Sequence, residues 1–67
     1  MINKNLFRYH YSEAGYNVVT LAKKLGMNQA TLSRKINGIS DFTRVDIIKL
    51  TEVLNLSPEQ VMTIFFN

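Results

Sequence analysis

Residues 21–34 read Leu21-Ala22-Lys23-Lys24-Leu25-Gly26-Met27-Asn28-Gln29-Ala30-Thr31-Leu32-Ser33-Arg34, and the fold turns on the glycine in their middle. Upstream of it, Val18, Leu21, Ala22 and Leu25 recur at i, i+3, i+4 and i+7, the spacing of one buried helical face. Asn17 is placed to cap that helix, and Tyr16 before it supplies half of a hydrophobic staple on Leu21. Lys23 and Lys24 point away from the apolar face, near the helix end where positive charge is favoured. Downstream, Met27 bridges, Asn28 caps a second helix running to Asn37, and Gly38 ends it. A joint this short forces a sharp turn. Such a turn needs a residue tolerant of positive φ at the corner, an apolar plug beside it and a small residue where the helices cross. Gly26, Met27 and Ala22 meet those three needs.

The second helix then shows two different sides. At about 100° per residue, Leu32 and Ile36 share one face, flanked by Asn28 and Lys35, while Ala30, Ser33, Arg34 and Asn37 fall opposite. An ordinary surface helix would carry Glu–Lys pairs outward. A face of Gln, Ala, Thr, Ser and Arg instead suits entry into a groove about 12 Å wide, where side chains reach base edges.

Glycine, proline and capping residues divide the rest into further short helices, five in all. The first is expected over Lys4–Ala14, stopped at Gly15; its Leu6, Phe7, Tyr9, Tyr11 and Ala14 define no single stripe. The fourth starts at Thr43, with Asp46 answering three residues later, and continues through Ile47, Ile48, Leu50, Val53 and Leu54 to a left-handed stop at Asn55. The fifth opens with Ser57 as cap, Pro58 as first helical residue and Gln60 as reciprocal partner; Val61, Ile64 and Phe65 form its apolar face.

Composition bounds the function. The chain has 67 residues, which sets the expectation of a single domain over 1–67, and 46% apolar content argues for a folded globule. No cysteine is present, so no disulfide or thiolate metal site staples it. That composition fits a reducing cytoplasm, and no apolar run approaches the ~20 residues of a membrane span. His10 is the lone histidine, without an acidic cluster around it, and reads as structural. No Ser-His-acid set with room for a pocket is visible, so neither enzyme activity nor a metal or cofactor is expected. Net charge is +3, and its placement says more than its size. Lys23, Lys24, Arg34 and Lys35 fall between Ala14 and Ser40, where no acid occurs; Glu13, Asp41, Asp46, Glu52 and Glu59 lie outside. Such a window is either a solvated basic face or a surface for a polyanion.

Residues 21–34 resemble the helix-turn-helix of the phage repressor and Cro family, and Ile36-Asn37-Gly38-Ile39-Ser40 is similar to the lambda repressor DNA-binding domain. The resemblance covers about residues 5–62. It implies an all-α, five-helix lambda repressor-like domain and a sequence-specific regulator of transcription bound to double-stranded DNA. It further implies that Gln29 reads a base through its amide, with Ala30, Thr31, Ser33, Arg34 and Ser40 also at base edges. Asn17, Asn28, Lys35, Asn37, Thr43 and Arg44 stand at positions that hold phosphates. Two departures stand out. Val18 occupies a place where most members have a phosphate-clamping Gln. Tyr11 and Ile36 replace an Arg–Glu pair, and the two are expected to pack together.

Two further readings stay open. Met62, Phe65 and Phe66 either fold back to close the core or form an apolar patch for association, with a second copy or with a partner repressor. The second of these would make the chain an antirepressor or modulator, keeping the scaffold while acting through another protein. Lys4 and Arg8 are either solvated or in contact with phosphate.

Overall fold

Each helix in the computed structural model, which describes residues 2–66, begins where a polar side chain takes a backbone amide. The elements are α1 (Lys4–Glu13), α2 (Val18–Leu25), α3 (Gln29–Ile36), α4 (Arg44–Val53) and α5 (Pro58–Phe65), with no strand among the described residues. Their caps are Asn3, Asn17, Asn28, Thr43 and Ser57. A cap of this kind satisfies one of the four amides a helix start leaves without an internal acceptor. Thr43–Asp46 and Ser57–Gln60 form reciprocal capping boxes as expected, and Asn17–Thr20 forms a third that sequence reading had not assigned. The expected elements are those that form, with one-residue changes at their ends: Ala14, Asn37 and Leu54 are closing caps, not helical residues.

The helix ends are equally local in origin. After α2, the Gly26 N–H donates to the Lys23 carbonyl at 3.1 Å and the Met27 N–H to the Ala22 carbonyl at 3.0 Å. This paired closure requires a left-handed residue, and Gly26 supplies it at φ +75°. The same pairing closes α4 around Asn55, the one non-glycine residue with positive φ among those described.

One core serves all five helices. Its fully buried side chains are Phe7, Leu21, Leu32, Leu50 and Ile64, one from each helix. None of these short helices would persist alone in water, so their mutual burial sustains them. Phe7 is the hub of an aromatic cluster: Tyr11, Phe42 and Phe65 lie with ring centroids 5.2, 5.7 and 5.8 Å away. Phe42, on the α3–α4 loop, was not anticipated as a core residue. The chain start is tied in as well, because the Asn3 N–H donates to the Ile64 carbonyl at 2.7 Å. Phe7 and Tyr11, four residues apart, are the stripe of α1 that its mixed composition concealed. Tyr11 and Ile36, expected together, both line a shallow cleft between α1 and α3. Among the described residues, no helix is long and apolar enough to cross a membrane.

For Phe65 the first of the two open readings holds. It is only 7% exposed, between the rings of Phe7 and Phe42, so it closes the core and offers no surface to a partner. Met62 and Phe66, each 59% exposed, remain on the outside.

Candidate nucleic-acid interface

The orientation of α3 follows from one side chain. Leu32 is fully buried and fixes which face points inward. By helical geometry Ala30 and Arg34 stand about 160° from it, and both are exposed. Thr31 and Ser33 lie about 100° away on opposite flanks and are half-buried. Gln29, in the first turn, is exposed, as is Ser40 in the loop beyond the helix. Among the six residues expected at base edges, Gln29, Ala30, Arg34 and Ser40 are therefore open to a partner, with Thr31 and Ser33 at the margins.

Three helix starts belong to the same expected surface. The Asn28 side chain accepts the Thr31 N–H at 2.8 Å, which leaves the amides of Gln29 and Ala30 without an intrahelical acceptor. Asn17 accepts the Thr20 N–H at 2.9 Å, and the Thr43 hydroxyl accepts the Asp46 N–H at 3.1 Å. Asn17, Asn28, Thr43 and Arg44 are all exposed. Helix starts favour anions through such amides and through the helix dipole. Asn37 is exposed too, and its side-chain oxygen accepts a hydrogen bond from the Lys4 ammonium at 3.3 Å. That contact places a lysine of α1 beside the end of α3. Val18, expected on the buried face of α2, packs half-buried against the core.

Lys35 is placed differently from the sequence expectation. Its ammonium is paired with the Asp46 carboxylate, with the two side chains only 12% and 11% exposed. The same carboxylate oxygen accepts the Thr43 N–H at 2.9 Å. Burial pushes the Asp46 carboxyl up, but the Lys35 hydrogen bond, the Thr43 amide and hydroxyl and the Lys35 charge outweigh it, so its pKa is lowered below the ordinary 3.8. With its charge answered inside the protein, Lys35 does not stand among the free cations of this face. The sequence held half of the signal: Asp46 was legible as a capping partner for Thr43. Its second role depends on how α3 lies against α4 and has no periodicity to reveal it.

A family model described as helix-turn-helix matches residues 13–61 of the chain. No curated protein and no solved structure matches.

Proposed function

Because the chain belongs to the helix-turn-helix family, we propose that it is a sequence-specific double-stranded DNA-binding regulator of transcription, of the Cro or repressor type found in phages and mobile elements. One observation carries this reading. The outward face of α3 presents Ala30 and Arg34 to solvent opposite a buried Leu32, with exposed Gln29 beside them in the first turn and no acid or bulky apolar side chain among the three. In the major groove, Gln29 would offer its amide to an adenine edge, Ala30 would meet a thymine methyl and Arg34 would take guanine or phosphate. Thr31, Ser33 and Ser40 complete the base-facing set. Asn17, Asn28, Asn37, Thr43 and Arg44 hold the backbone, through side chains and helix-start amides. Lys35 is dropped from that set because its charge is already paired. The regulator would act by occupying an operator in the cytoplasm of a bacterial host.

Footprinting on the DNA flanking its own gene tests the proposal. Gln29→Ala and Arg34→Ala should each weaken specific binding by about 1–3 kcal/mol, and binding should fall steeply with salt. A protected site that ignores both substitutions would overturn it.

Exposed Met62 and Phe66 favour a second reading, in which the chain binds a partner repressor or a second copy of itself. Absence of operator affinity, together with comigration with the neighbouring repressor, would decide for that reading. A homodimer spaced for two half-sites fits the first reading equally well.

A further inference from the structure

The Lys35–Asp46 pair joins the end of α3 to the start of α4 across the loop that carries Ser40, Asp41 and Phe42. Three features of it bear on recognition. Lys35 stands about 60° from buried Leu32, on the core flank of α3, whereas its neighbour Arg34 stands about 160° away. Lys35 forms part of the wall of a groove with Phe42, Ile47 and Phe65 and also with Ser40 and the exposed Asp41, and its side chain is only 12% exposed. Asp46 has a second duty, holding the Thr43 amide, so its carboxylate stays in place whatever Lys35 does. Were Lys35 to swing toward a phosphate, it would leave a largely buried carboxylate unpaired and facing a polyanion.

From these we infer that Asp46 is a specificity-determining positioning residue, which withholds the Lys35 ammonium from the phosphodiester backbone of bound DNA. The inference rests on the DNA-binding reading above. Its consequence is chemical: a lysine on a phosphate attracts every sequence alike, so a lysine held back lowers non-specific binding and leaves discrimination to Gln29 and Arg34. The arrangement also makes the pair a neutral unit toward DNA.

The test measures affinity for a random-sequence duplex of about 20 base pairs as a function of salt, because each phosphate neutralised adds about 0.9 to the slope of log K against log salt. Asp46→Asn frees Lys35 while keeping an acceptor for Thr43. It should steepen the slope by about 0.9, an extra loss of about 3.5-fold between 50 and 200 mM salt. Asp41→Asn removes the same charge from an exposed position on the same loop without freeing a lysine, and should leave the slope unchanged. The double variant Lys35→Met/Asp46→Asn removes the pair as a neutral unit and should bind with the wild-type slope. A double variant whose slope falls by about 0.9 would show Lys35 on a phosphate in the wild-type complex and overturn the inference. So would equal slopes for Asp46→Asn and Asp41→Asn. If Asp46→Asn fails to fold, a slope that falls by about 0.9 in the double variant still overturns the inference. Wild-type protein that binds no duplex at any salt concentration would defeat the DNA-binding reading itself, a result distinct from either slope.

Discussion

An alanine at position 26 would meet no steric obstacle: nothing lies within 4 Å of a Cβ built on Gly26. The cost of Gly26→Ala is therefore backbone conformation alone. At φ +75° an L-residue loses about 1–2 kcal/mol relative to its preferred regions. Reduced freedom of the unfolded chain returns about 0.4–1 kcal/mol of that. The net loss is about 1 kcal/mol, against a total stability of about 3–10 kcal/mol for a chain of this length. Urea unfolding followed by far-UV circular dichroism should show a lower midpoint with an unchanged slope, and heating should show a midpoint about 4–8 °C lower. Gly26→Asn provides the decisive comparison. Asparagine is larger than alanine but tolerates the left-handed region better, so it should cost less. If Asn costs more than Ala, crowding controls the corner. If Ala is neutral, the left-handed turn does not limit stability. Either result refutes the reasoning.

The aromatic hub gives a larger effect: Phe7→Ala should lose about 3–5 kcal/mol of a total of about 3–10 kcal/mol, read by circular dichroism as a far lower unfolding midpoint. A near-wild-type melting curve would contradict the core described above. For Asn17, aspartate separates capping from DNA contact: Asn17→Asp keeps an acceptor for the Thr20 amide and so keeps stability, while its negative charge weakens duplex binding at low salt. Equal duplex affinity would remove Asn17 from the interface. The lowered pKa of Asp46 sets a direction with pH, since a carboxyl depressed on folding stabilises above its unfolded value and loses that contribution as pH falls through the folded one. The stability gap between wild type and Asp46→Asn, measured by urea unfolding, should therefore narrow as pH falls below about 4. A gap that is constant from neutral to strongly acidic pH would show that the carboxylate charge contributes nothing.

Most of the secondary structure was legible because its causes are local. Asn17, Asn28, Thr43 and Ser57 act on amides only three residues away, and Gly26 and Asn55 close helices through their own φ. The apolar spacing of α2 needed nothing but helical periodicity. By contrast, α1 was illegible in orientation, since Tyr9 is 58% exposed while Tyr11 is buried, a distinction no composition rule draws. Phe42 escaped notice because it lies in a loop, where periodicity does not apply. Phe65 and Phe66 differ by helical position, since Phe65 shares the apolar face of Val61 and Ile64; what the sequence does not show is that its ring meets Phe7 and Phe42.

What the residues decide unaided is whatever rests on neighbours within a turn of helix: five helices, their caps, the left-handed corner and the polar, acid-free outward side of α3. What only the folded chain decides is which charges remain free. Periodicity already sets Lys35 beside the buried face and Arg34 opposite it, but nothing in the sequence says that Lys35 is paired. The pairing arises because α4 brings Asp46, eleven positions away, against the core flank of α3, and a carboxylate in partial burial holds the ammonium that water would otherwise release.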